Sequence, residues 1–202
     1  MLIYFLLLAL AITPLALLFA RFEYRRHGSL SALGLALLVA MFLASNLILE
    51  YATTYEMPST ALDYIGVLIG AAGALLCLIS MIVFRSPLQV LCLDSGTLAV
   101  TGPYRWSRNP QYVGWFMFLL GFALNDWSWW CLAAMTIIAT YLHLLILIEE
   151  EHLNRVFGEQ YTEYCRIVSR YIGRPLPQSW TISTGIFVET TLGLSLMLAA
   201  IN

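Results

Sequence analysis

Six apolar segments divide this chain, and most of them are long enough to cross a lipid bilayer as a helix. They are Leu2–Ala20, Leu30–Leu49, Ala61–Phe84, Tyr112–Asn125, Ser128–Ile148 and Trp180–Ile201. A spanning helix needs about 20 mostly apolar residues, and soluble domains carry roughly 25% charged residues. Here charged residues make up 11% of the chain and hydrophobic residues 60%. The sequence therefore predicts an all-α protein, a polytopic transmembrane helical bundle with five or six spans.

The basic side chains, all of them arginines, predict how the bundle is oriented. They fall in the connections after the first, third and fifth segments, at Arg21, Arg25, Arg26, Arg85, Arg105, Arg108, Arg155, Arg166, Arg170 and Arg174. The first of these connections, Arg21–Gly28, is predicted to be a polar turn. Arginine-rich connections face the cytoplasm, so these three are predicted to be cytoplasmic and the N-terminus external. Met1–Ala20 lacks a basic region before its apolar run, which favours a retained helix over a signal peptide.

The chain beyond the fifth segment predicts a cytoplasmic amphipathic helix. Apolar side chains recur there at helical spacing, at Leu153, Val156, Phe157, Tyr164, Ile167, Val168 and Tyr171. Such a face suits a helix that lies along the membrane surface. Gly158 is expected to kink or divide this helix, and Gly173 and Pro175 are expected to end it. Three parts are predicted: N-terminal transmembrane helices over 1–84, a cofactor-binding and catalytic core over 85–175, and a C-terminal hydrophobic helix over 176–202.

Charge and cysteine spacing narrow the function classes. The net charge of −2 gives no sign of a nucleic-acid partner. The four cysteines show no pair at the spacing of a metal or redox motif, so no metal site is predicted. Cys77 and Cys131 lie in apolar runs and are expected to be buried. Gly66 and Gly70 let another helix approach closely, which favours packing within the chain over homodimerisation. The oligomeric state stays open.

Three ionisable side chains in or just after the fifth segment are the first candidates for chemistry. Ionisable groups at membrane depth are costly and usually functional. His143 and Glu150 are seven positions apart and share a helix face, and Glu149 adjoins Glu150. The carboxylates of Glu149–Glu151 repel one another, so a cationic ligand or nearby arginines are expected to offset that cost. A solvated acidic helix end is the alternative, chiefly for Glu151.

The polar stretch before the fourth segment offers complementary groups. Gly102-Pro103 and Asn109-Pro110 predict turns, and Pro110 suits the first turn of a helix. The rings of Tyr104, Trp106 and Tyr112 can stack on a base or attract a cation, or they can form an aromatic belt at the membrane interface. The spacing leaves these two readings equally open. Arg105 and Arg108 can bind a carboxylate or lipid headgroups.

These two stretches resemble the paired signatures of a known superfamily. Residues 102–114 read GPYRWSRNPQYVG, and residues 149–164 fit the pattern EExxLxxxFGxxYxxY. They resemble the isoprenylcysteine carboxyl methyltransferase and phospholipid methyltransferase superfamily, whose first signature is GPYRYxRHPxYxG. The resemblance covers about Thr97 to Ile172 and leaves out the first two apolar segments. Asn109 stands where many eukaryotic members have His and bacterial members often have Asn, which implies a prokaryotic-type member in a bacterial inner membrane.

The resemblance implies a membrane-embedded methyltransferase that uses S-adenosyl-L-methionine. Carried over to matching positions, its cofactor pocket would contain Gly102, Tyr104, Arg108, Asn109, Pro110, Tyr112, Glu149 and Glu150. Carboxylates suit the ammonium group or the ribose of this cofactor, and aromatic faces suit its sulfonium. Both motifs lie on the predicted cytoplasmic side. The implied partner is a lipophilic small molecule, lipid or lipidated substrate, with a carboxylate, amine or thiol acceptor left open.

Methyl transfer asks little of catalytic side chains beyond alignment and a deprotonated nucleophile. Arg108, or else Arg105, is expected to orient an acidic substrate, and Glu150 is expected to belong to the catalytic site. His143 is a candidate base, although a histidine that is hydrogen-bonded between helices is the more ordinary arrangement.

Two other function classes fit parts of the sequence. Sterol and steroid reductases have a similar carboxy-terminal arrangement, but they use NADPH, whose phosphates call for cations where Glu149 and Glu150 stand. A membrane protein without enzymatic activity, such as a transporter or scaffold, could keep the fold alone. The intact pair of motifs argues against it.

Overall fold

The computed structural model describes residues 2–52, 60–83, 98–125 and 127–176. Within these ranges the chain forms helices and no strands, which confirms the predicted all-α class. In chain order the helices are α1 (Leu2–His27), α2 (Ala32–Ala52), α3 (Ala61–Val83), a short 3₁₀ helix (Gly102–Arg105), α4 (Pro110–Asn125), α5 (Trp129–Phe157) and α6 (Glu159–Ile167). The predicted segment Trp180–Ile201 lies outside the described residues.

Three of the described helices are long and apolar enough to cross a membrane. They are Ala32–Glu50 within α2, Ala61–Val83 of α3 and Trp129–Phe157 of α5. Many large apolar side chains on these helices are exposed, as in Leu68 and Ile82 of α3, at 69% and 77%. Exposed apolar faces of this extent suit contact with lipid chains rather than water. The chain is therefore an integral membrane protein.

The first helix is longer than the sequence predicts. The polar stretch after Ala20 was expected to be a turn, but α1 continues through His27, and only Gly28 leaves the helix, with φ of 71°. The prediction of a turn over Arg21–Gly28 is wrong, because the chain stays helical through His27 and only the positive φ of Gly28 ends the helix. Arg21 and Arg25 both bind Glu151 of α5, and basic side chains are favourable in the last turn of a helix.

Closely approaching backbones join α3 to α4. A Cβ atom added at Gly66 would lie 2.7 Å from the carbonyl oxygen of Gly121, and one at Gly73 would lie 2.5 Å from that of Gly114. Glycines of both helices thus interlock, as expected for small residues at a helix–helix contact. The Gly66–Gly70 face packs within the chain, and α4 is held along the side of α3.

The core of the bundle forms where α5 meets α1, α2 and α4. Ala134 and Ile138 of α5 are at most 1% exposed, and Ile48 of α2 and Ala123 of α4 join them. Cys131 is fully buried at the start of α5, while Cys77 is buried on α3, as expected for small apolar side chains. Ser128 accepts a hydrogen bond from the backbone N–H of Cys131 and so caps α5 after the chain reverses.

The predicted amphipathic helix is divided and ends early. Gly158, with φ of 55°, separates α5 from α6, as the sequence predicted. The expected end at Gly173 is wrong, because α6 ends at Ile167 and Val168 is extended. Residues 168–176, the return segment, turn back across the stretch that precedes α4, where their backbone groups find partners outside a helix.

Candidate functional site

The site begins with residues 101–109, the motif loop, which the 3₁₀ helix folds tightly against the start of α4. Gly102 has φ of 57°, a conformation that other residues seldom adopt. Tyr104 is only 3% exposed, and its hydroxyl donates to the side chain of Gln111 in the first turn of α4. Pro110 begins α4, as the sequence predicted. The loop therefore sits rigidly at one end of the bundle.

The return segment covers the motif loop and fixes it by backbone hydrogen bonds. The N–H of Arg108 donates to the carbonyl of Ser169 at 3.0 Å, and the N–H of Gly173 donates to that of Trp106 at 3.2 Å. The N–H of Leu176 donates to the carbonyl of Arg105 at 2.7 Å. Three bonds over this short stretch hold the two segments side by side.

A buried tyrosine of α6 also holds the motif loop in place by a hydrogen bond. The hydroxyl of Tyr164 donates to the carbonyl of Tyr104 at 2.5 Å, and the residue is 1% exposed. Burial raises the pKa of Tyr164 well above its ordinary value, because the interior disfavours the phenolate. The phenol therefore stays protonated and remains a hydrogen-bond donor over the whole neutral range.

Glu150 is the centre of the polar network. Arg170 of the return segment binds it with both Nε and Nη2, at 3.1 and 2.9 Å. The hydrogen bond to Glu150 is the main reason why the pKa of the Arg170 guanidinium is raised. The amide of Asn109 donates to Glu150 at 3.3 Å and to the carbonyl of Arg170 at 3.2 Å. Arg108 lies 3.6 Å from the same carboxylate. Glu150 thus joins α5, the motif loop and the return segment.

The two neighbouring glutamates point to different partners. Glu149 accepts a hydrogen bond from the hydroxyl of Tyr112 at 2.5 Å. Glu151 binds Arg21 and Arg25 of α1 and Arg155 of its own helix, at 3.0, 2.6 and 2.7 Å. Nearby arginines therefore offset the repulsion within the acidic run, as the sequence suggested. Glu151 faces away from the motif loop and serves the contact between α1 and α5.

Arg108 carries unused hydrogen-bonding capacity inside the site. Its Nη1 contacts the thiol of Cys165 and lies near Glu150, and its side chain is only 13% exposed. Its Nε is buried and has no hydrogen-bond partner among the described residues. A buried N–H without a partner is costly, so this position suits an acceptor group on a bound molecule.

Two apolar cavities adjoin the polar network. The first, of about 320 Å³, has walls from α4, α5 and the return segment, and its polar side chains are Tyr112, His143 and Tyr171. The second, of about 450 Å³, lies against the motif loop at Gly102, Pro103 and Trp106. Val113, Met117, Tyr171 and Ile172 line both cavities. Tyr112 is important because it lines the first cavity and also binds Glu149.

The structure groups most of the sequence-predicted site residues and separates the others. Arg108, Asn109, Tyr112, Glu149 and Glu150 converge on one network. The other four predicted residues lie outside this network. Pro110 is buried at the start of α4, Tyr104 is covered by protein, and Gly102 lines the second cavity. His143 lies in the wall of the first cavity, where its Nδ1 contacts the hydroxyl of Tyr171.

The sequence did not identify three residues of the site. Two of them belong to the return segment, and the third contacts it. The sequence placed Arg170 only among the cytoplasmic arginines and Tyr171 only on the apolar face of the amphipathic helix, and Ser107 was not singled out. The hydroxyl of Ser107 accepts from the N–H of Asn109 at 3.0 Å. The glutamate run itself was the available signal, because a partly buried acidic pair requires cations close by. Nothing in the sequence indicated which arginines would supply them.

Comparison with known proteins agrees with this site. Residues 62–160 match the phospholipid methyltransferase family, a stretch that contains α3, the motif loop, α4, α5 and the glutamate run. Together with the relatives below, this match supports a likeness to the superfamily of isoprenylcysteine carboxyl methyltransferases and phospholipid methyltransferases. The superfamily resemblance seen in the two sequence motifs is thereby confirmed. The match begins earlier than those motifs, since it includes α3, which packs closely on α4.

Individual relatives match over a shorter stretch. The protein-S-isoprenylcysteine O-methyltransferase of Xenopus laevis is 40% identical over 73 residues, which is 35% of this chain and 25% of the relative. The proteins of the same name from Tribolium castaneum and Homo sapiens are 37% and 33% identical over 68 and 73 residues. These stretches cover 33% and 35% of this chain and 24% and 25% of the relatives, so the chain spans about a quarter of their length. No solved structure matches the chain significantly.

Proposed function

We propose that this protein transfers a methyl group from S-adenosyl-L-methionine to a lipophilic acceptor at the cytoplasmic face of its membrane. One observation carries the proposal. The two superfamily motifs meet in space, because Tyr112 and Asn109 of the first bind Glu149 and Glu150 of the second. A network that joins an acidic pair, two arginines and a tyrosine at the end of a membrane bundle is suited to a charged cosubstrate that arrives from water.

The charges of the network fit the methyl donor. The donor has an ammonium group, a carboxylate and a sulfonium, so its pocket needs both signs of charge and an aromatic face. Glu149 and Glu150 would hold the cationic groups, and the unused Nε of Arg108 would accept the carboxylate. The ring of Tyr112 would lie near the sulfonium, while Gly102, Tyr104, Asn109 and Pro110 shape the loop. When bound, the donor supplies an electrophilic methyl group.

The apolar cavities fit a lipophilic acceptor. The first cavity is within the usual size range for small-molecule sites, and Tyr112 in its wall also binds Glu149 of the polar network. An acceptor chain could lie among Val113, Phe116 and Leu142 while its reactive atom faces Tyr112. The relatives are named for isoprenylcysteine, a lipidated carboxylate, and the matching family is named for phospholipids. Both names fit an acceptor that enters from the bilayer.

Catalysis in this arrangement would come mainly from alignment. Holding two reactants in line can contribute about 7–11 kcal/mol toward a displacement barrier. Glu150 and Arg108 would position the donor through the motif loop, since both contact that loop directly or belong to it. His143 lies at the acceptor side and is the candidate for moving a proton. No single residue of the polar network has to act as an acid or a base.

Calorimetry on the detergent-purified protein tests the proposal. S-adenosylhomocysteine, the demethylated product of the donor, should bind saturably, and NADPH under the same conditions should not. Binding of NADPH alone would assign the chain to a reductase class. If neither binds in detergent or in lipid nanodiscs, the proposed function is wrong.

A further inference from the structure

His143 and Tyr171 form an isolated polar pair in the wall of the first cavity. The Nδ1 atom of His143 on α5 contacts the hydroxyl of Tyr171 in the return segment. The Nε2 atom of His143 has no hydrogen-bond partner among the described residues. In the tautomer that carries its proton on Nδ1, the ring donates to the Tyr171 hydroxyl and Nε2 is an acceptor toward the cavity; this is the tautomer that a proton acceptor needs. A neutral histidine held in this way is suited to take a proton from a molecule in the cavity.

The wall of this cavity contains no charged side chain of the described chain, and the arginine that adjoins Tyr171, Arg170, is bound to Glu150. The titratable groups in the cavity wall, apart from His143, are Tyr112 from α4 and Tyr171 from the return segment, and no Arg, Lys, Asp or Glu of the described chain lines it. The nearest arginines of the polar network, Arg108 and Arg170, are engaged with Glu150. An ionised carboxylate without a partner is expensive in apolar surroundings. A deprotonated amine or a neutral thiol has no such cost, but the ammonium form must lose a proton before it attacks, and the thiol must lose its proton as it is methylated.

From this geometry we infer that His143, oriented by Tyr171, is the proton acceptor for an amine or thiol nucleophile on the lipophilic acceptor. The inference rests on the proposed function and specifies its acceptor. In the step, a bond forms between the acceptor nitrogen or sulfur and the methyl carbon. The carbon–sulfur bond of the donor breaks, and its electron pair stays on the donor sulfur, which becomes a neutral thioether. The proton of the acceptor passes to Nε2 of His143, and from the resulting imidazolium to water.

This assignment separates the chain from the relatives that it matches. Those relatives are named as O-methyltransferases, and a carboxylate oxygen needs no base. A carboxylate acceptor needs a cationic partner and no base. Among the described residues, the wall of the acceptor-side cavity has a histidine that can act as a base and has no cation. Tyr171 acts as a positioning residue, because its hydroxyl contacts Nδ1 of His143 and holds the ring. The same tyrosine lines both cavities, so the pair stands where an acceptor chain would pass.

Three probes with the same sixteen-carbon chain test the inference: hexadecylamine, hexadecanethiol and palmitate. Each is supplied to the protein in lipid nanodiscs with the methyl donor, and the methylated product is measured by mass spectrometry. We expect transfer to the amine or to the thiol, and the two arms show which nucleophile is used. Transfer to palmitate alone, or to none of the three while S-adenosylhomocysteine binds, overturns the inference. Absence of S-adenosylhomocysteine binding instead overturns the proposed function.

Variants test the role of the pair itself. His143→Gln keeps a hydrogen-bonding side chain but removes the base, and it should lower kcat about 10²- to 10³-fold, as loss of a general base does. KM for the acceptor and calorimetric binding of S-adenosylhomocysteine should stay within about twofold of wild type. Raising the pH should restore much of the rate, because the acceptor then loses its proton to water. Tyr171→Phe should give a smaller loss in kcat with the same recovery.

A matched control lies one turn away on α5. Thr140→Val removes a hydroxyl that bonds to the carbonyl of Thr136, outside the cavity wall. It should leave the rate unchanged. If His143→Gln lowers the rate equally at every pH, or lowers donor binding as much as kcat, His143 serves only to hold the return segment and the inference is wrong.

Discussion

At the scale of single residues, three adjacent glutamates at the end of α5 have different partners. Two of them belong to the candidate site, and the third joins α5 to α1. Glu149 meets Tyr112, Glu150 meets Asn109 and Arg170, and Glu151 meets the arginines of α1. Successive residues on a helix point about 100° apart, so neighbours in sequence must face different elements. Substitution at each position should therefore affect a different property of the protein.

Glu149→Gln should weaken donor binding strongly, and Glu151→Gln should not. Glu149 lies in the polar network, and losing its charge removes a charge-assisted hydrogen bond, typically about 1.5–3 kcal/mol. That corresponds to a rise of roughly 10- to 150-fold in Kd for S-adenosylhomocysteine, measured by calorimetry. Glu151→Gln, the matched control, should change Kd less than about twofold, because its partners lie on α1 and on α5 itself. If Glu151→Gln is the more damaging variant, the second motif has been placed one residue out of register.

Tyr164→Phe should destabilise the protein in a pH-dependent way. The substitution removes a buried donor to the carbonyl of Tyr104, at a cost of about 1–2 kcal/mol. The folded-state pKa of Tyr164 is raised by burial, so its contribution is complete below the unfolded value of about 10 and is lost as pH rises beyond it. Thermal unfolding in detergent should show a fall in stability above pH 10 for wild type, and a shallower fall for Tyr164→Phe. An equally steep fall in both would contradict this role.

At the scale of elements, the sequence predicted which segments are helices but not where all of them end. The apolar lengths of α3 and α4 and the start of α4 at Pro110 follow from local chemistry, namely composition and the fixed φ of proline. The continuation of α1 past Ala20 brings Arg21 and Arg25 to Glu151, which is 126 positions beyond Arg25. The end of α6 depends on the return segment finding partners at Arg105, Trp106 and Arg108. Local patterns carry no information about such distant partners.

Gly73→Leu should disrupt the contact of α3 with α4. A Cβ atom at position 73 would lie 2.5 Å from both the carbonyl oxygen of Gly114 and the backbone nitrogen of Phe118, and backbone atoms cannot rotate away. Overpacking of this kind costs typically about 1–3 kcal/mol, and the upper end applies here. The thermal unfolding midpoint in detergent should fall by several degrees, and S-adenosylhomocysteine binding should weaken as α4 shifts.

The same helix provides the control for this substitution. Ala72→Leu adds the same side chain on the exposed face of α3, where lipid surrounds it. Its unfolding midpoint should stay near that of wild type. If the two variants lose equal stability, the close approach of α3 and α4 is not what limits substitution at Gly73.

At the scale of the whole molecule, the candidate site forms where residues from distant parts of the chain meet, and no single motif contains all of them. The first motif supplies Asn109 and Tyr112, and the second supplies Glu149 and Glu150, so the sequence was sufficient to name most of the network. Arg170 lies outside both motifs but contacts Glu150 through two nitrogens. The sequence could not place it, because its position depends on α6 ending at Ile167. The carboxylates were predictable as a pair, whereas their cationic partner depended on the path of the chain.

Arg170→Gln should release the return segment from the motif loop. In the folded protein the amides of Arg108, Gly173 and Leu176 are protected by carbonyls of the opposite segment, and the ion pair between Arg170 and Glu150 anchors that arrangement. Loss of a charged, partly buried hydrogen bond of about 1.5–3 kcal/mol should speed hydrogen exchange at these amides roughly 10- to 150-fold. Exchange in α3 and α4 should not change, because their contact does not involve Arg170. Arg174→Gln is the matched control: its exposed side chain should leave all of these amides as slow as in wild type. Equal exchange in Arg170→Gln and wild type would mean that the backbone bonds alone hold the return segment, and that Arg170 instead balances the charge of Glu150.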